Sequence, residues 1–442
     1  MPVKTAIVAA KMAQKASRLL NKRGSNLPGL VARKIEKNIL KKLATKTEKI
    51  IFISGTNGKT TTSQIVGHIF KENGYRLIHN AEGSNMITGI TTAFIKNEGI
   101  IGRKKADIAV IEIDEGSIEK VSKEIQPGLM VFTNFFRDQL DRFGEIDILV
   151  NKIASALKNS AVKLLLNTDD PLVSRLGQIG LQAEYFGLGQ NAYAFEQHNM
   201  IESTFCPQCG DPLQYTHVHY GQLGHYSCQC GFGRKSPKYE INQLELNDGL
   251  NLRTNIGDFL IPIFGSYNAI NALAAISICL ESGLSPENIQ NAMSTFRVEN
   301  GRMERFQNKD KPVVLNLAKN PAGVNVTLSE SNVSKERKQY LLPLNDMGDD
   351  GRDISWIWDA DYEKINHCLT DRIICSGIRA EDMAVRLKYA GIPQEKIEIV
   401  RNVDKAVDEL LKKQLSSFVV TNYSALQPTR KALVNRLKNV KG

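Results

Sequence analysis

An apolar run, Ile50 to Ser54, leads into Gly55-Thr56-Asn57-Gly58-Lys59-Thr60-Thr61, and a helical pattern with Ile65, Val66, Ile69 and Phe70 on one face follows. A strand, a glycine-bearing loop and a helix in that order constrain the fold more than any other feature of the chain. Glycines let the backbone wrap a phosphate, and the helix N-terminus offers unpaired N–H groups and the positive end of its dipole. Lys59 is placed to neutralise the outer phosphates, and the Thr60 hydroxyl to ligate magnesium. The strict phosphate-loop pattern lacks its first glycine here, since Ile53 stands in that place. The segment therefore predicts an α/β chain that binds a phosphate-bearing ligand through residues 55–61.

The same alternation continues beyond the loop. Ile108–Ile113, Leu129–Thr133 and Val162–Asn167 are continuous apolar runs separated by helical patterns, which suggests a mostly parallel sheet covered on both faces. Residues 200–235, rich in Cys, Gly, His and Tyr, read as a small insertion, and Asn268 to Phe296 as helical. The polar Gln307–Lys311 segment reads as a linker. After it, Val313–Leu317, Gln339–Leu344, Arg372–Ser376, Ile397–Val400 and Phe418–Thr421 suggest a second α/β domain. A chain of 442 residues needs more than one core in any case.

Ala109-Val110-Ile111-Glu112-Ile113-Asp114-Glu115 places acids at the end of a buried strand, where a carboxylate can hold the magnesium that bridges the outer phosphates. Four of the seven cysteines form two close pairs, Cys206/Cys209 and Cys228/Cys230, suited to a tetrahedral structural zinc. His217, His219 and His225 nearby read as surface or packing residues. Cys279, Cys368 and Cys375 lie in apolar stretches and read as small core residues.

The net charge of +10 is local. Residues 1–49 hold thirteen Lys and Arg against Glu36 and Glu48, and the rest is near neutral. This lead-in reads as two helices, one with Ala6, Ala9, Ala10, Ala13, Leu19 and Leu20 on a face, the next with Val31, Ile35, Ile39 and Leu43, with Leu27-Pro28-Gly29 as the break. It is either a solvated face or a surface for anionic lipid headgroups or a lipid-linked pyrophosphate. No basic patch interleaved with aromatics follows, so nucleic acid is not expected as a partner. With no membrane-length apolar run and no signal-peptide pattern, the expected location is cytoplasmic, with peripheral contact at the inner membrane face as an option.

Gly55-Thr56-Asn57-Gly58-Lys59-Thr60-Thr61 is similar to the nucleotide loop of the Mur ligases and folylpolyglutamate synthetase, and further motifs follow in that family's order. They are Glu112 and Glu115, Thr133-Asn134, Asp138-Gln139-Leu140-Asp141-Arg142-Phe143-Gly144, Asn167-Thr168-Asp169-Asp170-Pro171, the helix start Asn268-Ala269-Ile270-Asn271, and Gly301-Arg302-Met303-Glu304. The resemblance implies that Glu112 is the favoured magnesium ligand and Glu115 the runner-up. It also implies that Asn268, Asn271 and Arg302 approach the nucleotide, and that a carboxylate is activated as an acyl phosphate. Gln139 and Tyr267 replace histidines usual in the family. The segment Asn316-Leu317-Ala318-Lys319-Asn320-Pro321 lacks the Asp and His of amino-acid-adding members.

Together with Asp349-Asp350-Gly351-Arg352-Asp353, these departures resemble the MurT family, synthetase subunits that work with a GatD-like class I glutaminase. That resemblance implies an α/β chain with a basic lead-in over 1–47 and a Mur-ligase-like ATPase domain over 48–304 carrying a zinc ribbon at about 200–235. A Rossmann-like α/β domain over 305–442 would face the partner. It implies amidation of the D-glutamate α-carboxylate of lipid II to D-isoglutamine, with Asp350 (or neighbouring Asp349) completing the glutaminase's triad, and Lys59 and Glu112 serving the ATP reaction. Trp356 and Trp358 would either anchor the partner or pack in the core. The alternatives are a stand-alone Mur-type amino-acid ligase and a non-enzymatic zinc-ribbon interaction module with a degenerate ATP site, against which the intact Gly58-Lys59-Thr60 argues.

Overall fold

The computed structural model describes residues 2–19, 26–80, 84–99, 105–136, 146–192, 203–246, 249–297, 302–333, 335–348, 350, 352–365 and 368–439. The chain divides into two compact units. The first takes most of the chain up to Phe296, and the second takes Pro262–Tyr267 and the chain from Arg297 onward.

In the first unit the apolar runs form β1 (Thr47–Ser54), β2 (Leu77–His79), β3 (Ala106–Glu112), β4 (Leu129–Phe132), β5 (Lys163–Asn167) and β6 (Ala183–Leu188), all parallel, in the order β6-β5-β4-β1-β3-β2. Continuous Val, Ile, Leu and Phe suit strands buried on both faces. Parallel pairing brings the chain segments after β1, β3, β4 and β5 to one end of the sheet, where open α/β sheets place their ligands.

The chain then leaves the sheet for a separate antiparallel hairpin, β7 (Gln214–Tyr220) and β8 (Leu223–Ser227). It returns as β9 (Tyr239–Leu246) beside β6, and β10 (Leu250–Thr254) and β11 (Gly257–Ile261) extend that edge antiparallel.

The basic lead-in is part of the first unit's core. Ala6, Ile7, Ala10, Ala32, Ile39, Leu40 and Leu43 are buried with Ile90, Phe94 and Ile118. Several of its cations have internal partners: the Arg33 guanidinium grips Glu124 at 2.9 and 2.6 Å, and Lys46 lies 3.6 Å from Glu98. Leu27-Pro28-Gly29 is not a break but the first turn of the helix Leu27–Ile35, with proline where a missing N–H costs nothing. Ile35 ends that helix exposed, and a third short helix, Ile39–Ala44, buries Ile39 and Leu43.

The second unit holds β12 (Arg302–Asn308), β13 (Lys311–Leu317), β14 (Lys338–Pro343), β15 (Thr370–Ser376), β16 (Ile397–Ile399), β17 (Ser416–Thr421) and β18 (Lys438–Asn439), in the order β16-β15-β14-β17-β13-β12-β18. β13 to β17 pair parallel, while β12 and β18 are antiparallel additions. The expected linker Gln307–Lys311 is the end of one strand, a tight turn with Lys309 at φ 58°, and the start of the next. Its polarity marks a hairpin turn. Cys279 and Cys375 are buried as expected, but Cys368 is exposed, because it precedes β15 instead of lying within it.

Candidate active site

The loop after β1 closes on the N-terminus of the helix Lys59–Glu72. Gly58 caps that helix with φ 87°, in the left-handed region open to glycine. A Cβ there would also lie 2.0 Å from Asn271 Oδ1. Asn271 and Asn268 are buried at the start of the helix Asn268–Glu281, bonded to each other at 3.0 Å, so this helix start abuts the loop directly.

Thr133 and Asn134, just past β4, clamp the loop from the other side. Asn134 O accepts from Thr56 N–H at 2.8 Å, Asn134 Oδ1 accepts from Asn57 N–H at 2.9 Å, and the Thr133 hydroxyl donates to Asn57 O at 2.7 Å. These bonds fix the loop from main-chain and side-chain groups together.

The Lys59 ammonium is buried, donating to Gly55 O and to Thr56 O, and lies 3.1 Å from Glu115 Oε1. Desolvation alone would lower its pKa. The negative charge of Glu115, Glu112 and Asp114 outweighs that and holds Lys59 above its ordinary value, so it stays a cation.

Glu112 ends β3 beside Ile53 of β1. Asn80 locks its backbone by accepting from Glu112 N–H at 2.8 Å and donating to Glu112 O at 2.7 Å. Its Oε1 has only a 3.4 Å bond from Asn85, and Oε2 is buried with no hydrogen-bond partner among the described residues. A buried carboxylate oxygen without a donor is costly unless a cation meets it, and this donor set fits a hard divalent ion. The two acids thus differ: Glu115 is engaged with Lys59, whereas Glu112 has an oxygen to offer. No sequence motif marked Asn80 or the Lys59–Glu115 pair, since both depend on which strands lie side by side.

Asp170, past β5, caps the helix Pro171–Arg175 through Leu172 and Val173 N–H and accepts from Phe135 N–H at 2.7 Å. Burial pushes its carboxyl up to about 7 against the pull of these donors.

The four cysteines converge as their spacing suggested. All four Sγ atoms lie within 4.8 Å of one another, with Cys206 to Cys230 at 3.7 Å and Cys209 to Cys228 at 3.5 Å. Disulfides need about 2.05 Å, whereas a tetrahedron of Zn–S bonds near 2.3 Å gives S···S edges of about 3.8 Å. The donor set therefore fits zinc with no open coordination position. Leu213, Tyr226 and Phe232 form the small core beside it. Among the nearby histidines His219 is fully buried, while His217 and His225 are partly so, and the three rings pack edge to face.

Arg302 and Asp350 belong to the second unit. Arg302 opens β12. Asp350 is buried: its carboxylate accepts from Ser424 N–H at 2.8 Å, from the Ser424 hydroxyl and from Met347 N–H at 3.1 Å. Asn320 caps the helix Pro321–Val333 by accepting from Gly323 N–H at 2.9 Å, and Asn316 bonds Thr327. Trp356 packs against the second core, but Trp358 is exposed, edge-on to the more exposed Tyr389. Asp138–Gly144, Gly301, Asp349 and Gly351 lie outside the described residues.

Sheet order and loop chemistry place the first unit among the Mur-type ATP-dependent ligases, and residues 53–279 match the family model Mur ligase middle domain. The second unit narrows the class, since residues 317–426 match MurT ligase C-terminal. Across 424 residues, 96% of each chain, the protein is 49% identical to subunit MurT of lipid II isoglutaminyl synthase (glutamine-hydrolyzing) from Staphylococcus aureus strain COL. It is 36% identical to the same subunit from Streptococcus pneumoniae R6, over 94% of this chain and 93% of that one. The chain belongs to the MurT family. Its fold is shared with a pseudomurein peptide ligase type C from Methanothermus fervidus (TM-score 0.69, 23% identity, covering 88% of this chain and 79% of that one). It is shared too with MurF from Acinetobacter baumannii (TM-score 0.65, 17% identity, 92% and 80%).

Proposed function

We propose that this chain is the synthetase subunit of a glutamine-hydrolysing amidotransferase that converts the D-glutamate α-carboxylate of lipid II to the amide of D-isoglutamine. The observation that carries this reading is the likeness to MurT subunits running through both units, 49% over 96% of the chain. Mur-type ligases use ATP and magnesium, and the residues here suit both.

In this reading the loop N–H groups of residues 55–61 bind the phosphates, and Lys59 neutralises charge that builds on the γ-phosphoryl group. Asn268 and Asn271, at the helix start beside the loop, contact the nucleotide. Thr60 Oγ1 and the free Glu112 oxygen would hold magnesium, which when bound would supply positive charge against the phosphates. The substrate carboxylate attacks the γ-phosphorus, the bond to the bridging oxygen breaks, and ADP leaves an acyl phosphate. Ammonia attacks the acyl carbon, inorganic phosphate departs, and the extra proton passes to solvent. Positioning and charge neutralisation carry most of this chemistry.

Ammonia comes from a GatD-like glutaminase docked on the second unit. Asp350, oriented by Ser424 and Met347, is the acid that steadies the partner's histidine, and Trp358 with Tyr389 is a suitable aromatic anchor. The Cys206/Cys209/Cys228/Cys230 site holds a structural zinc. Among the described residues no helix is long and apolar enough to cross a membrane. Lipid II is reached by peripheral contact at the inner membrane face, to which the exposed Lys4, Lys15, Lys34, Lys37 and Lys41 of the lead-in contribute.

The test is ATP turnover by the purified chain with lipid II. Turnover with ammonium alone, and with glutamine only after the glutaminase is added, is expected. Turnover that needs a free amino acid and no partner would return the chain to the stand-alone ligases.

A further inference from the structure

The cysteine-bearing insertion and the nucleotide loop are joined through the tip of its hairpin. Gln222 sits in the turn between β7 and β8 and is nonetheless fully buried. Its Nε2 donates to Phe135 O, and at 3.3 Å to Asp170 Oδ2, the same oxygen that receives Phe135 N–H. Both main-chain groups of Phe135 are therefore held. The next residue does the same for the loop: Phe136 N–H donates to Thr56 Oγ1 at 3.1 Å, and Phe136 O accepts from that hydroxyl at 3.2 Å.

Two further contacts tie the tip down. The Phe136 ring stacks on Tyr220 with centroids 6.0 Å apart. Gly221, at φ 55°, lets that ring come close, since a Cβ there would lie 2.5 Å from Phe136 Cε1. At the other end, the Tyr215 hydroxyl, packed on the ribbon core, donates to Gln222 O at 3.2 Å, and β8 runs directly into Cys228. Tyr215 packs on the cysteine-bearing core, and from it hydrogen bonds run through Gln222, Phe135 and Phe136 to Thr56.

We propose that Gln222 is a positioning residue for ATP binding, through which the ribbon hairpin holds Phe135–Phe136 and so sets the shape of the nucleotide loop. This goes beyond the assignment of residues 55–61 to ATP and rests on it. A purely structural insertion would need no buried amide at its tip bonded to the segment that braces the loop.

The experiment uses the full chain with Gln222→Met, which keeps length and packing but removes the donor. Calorimetric titration with Mg–ATP is read beside KM for ATP and kcat in the ammonium-driven reaction, metal content and thermal midpoint. Loss of one buried donor predicts a rise in Kd and KM of about tenfold, with kcat at saturating ATP within about threefold and metal content unchanged. Tyr220→Leu, which removes only the stack on Phe136, gives a smaller rise. Thr216→Ala, at an exposed site on the same hairpin, gives none. A folded, metal-loaded Gln222→Met chain that binds ATP like the parent overturns the proposal. So does a rise equalled by Thr216→Ala, or a loss confined to kcat. Should Gln222→Met not fold, unchanged affinity in Tyr220→Leu has the same force. Lys59→Ala separates the two layers: normal ATP binding there defeats the nucleotide assignment itself, whatever Gln222 does.

Discussion

Gly58 carries two demands at once, a left-handed backbone and the close approach of Asn271, and only a residue without Cβ meets both. Gly58→Ala should therefore lower the thermal midpoint, with about 1 kcal/mol from the backbone alone and more from the clash. Asn271→Ala added to it should recover the clash component and leave the backbone component. Equal midpoints for the single and double variants would mean that the helix start does not press on the loop. Residue chemistry near this point was partly legible in the sequence. Gly55, Gly58, Lys59 and Thr60 announce themselves because their spacing in the chain is their spacing in space. Glu112 and Glu115 could be named as acids at a strand end, and only the family resemblance ranked Glu112 ahead of Glu115. Which one pairs with Lys59 depends on the strand register that brings β3 beside β1. Gln222 was invisible for the same reason, since nothing local distinguishes a turn glutamine from one that reaches another segment's backbone.

At the level of elements, the parallel strands were readable because burial on both faces demands unbroken apolar runs, as in Leu164–Leu166 and Val131–Phe132. β9 to β11 were not delimited, because the consecutive exposed Asn242 and Gln243 break the alternation that marks a half-buried strand, where the β9–β10 register shifts. Gln307–Lys311 misled for a related reason, as a polar turn between two strands has the composition of a linker. The ribbon was legible through its cysteines, whose geometry permits a metal test at this scale. Its core among the described residues is five side chains, two of them the cysteines Cys206 and Cys228, so metal should supply most of its stability. The purified chain is expected to hold one zinc, and Cys228→Ser should release it. Protease cuts should then appear within 203–235 while the nine-stranded sheet keeps its amide protection. Retention of zinc by Cys228→Ser, or collapse of the whole sheet with it, would contradict a ribbon folded locally around its metal.

At the scale of the whole molecule, the candidate groups divide between the two units: the first has the loop, the acids and the helix-start asparagines, and the second has Arg302 and Asp350. Asp350 accepts from Ser424 N–H, the Ser424 hydroxyl and Met347 N–H, an arrangement that fixes a carboxylate in one orientation, as an acid that aligns a histidine requires. It is also an arrangement that a purely local role, pinning the start of the helix Tyr423–Arg436, would produce. Asp350→Asn distinguishes them. It keeps an acceptor for Ser424 but removes the charge that would stabilise a partner imidazolium. In the complex with the glutaminase, glutamine-dependent amidation should fall by about 10³- to 10⁴-fold, with ammonium-dependent amidation within about twofold of the parent. Binding to the partner should persist. A local role predicts the opposite pattern, a lowered thermal midpoint with glutamine and ammonium supporting turnover in their original ratio. The ratio of the two rates, measured on one preparation, cancels any loss of folded protein and so reports on the charge alone.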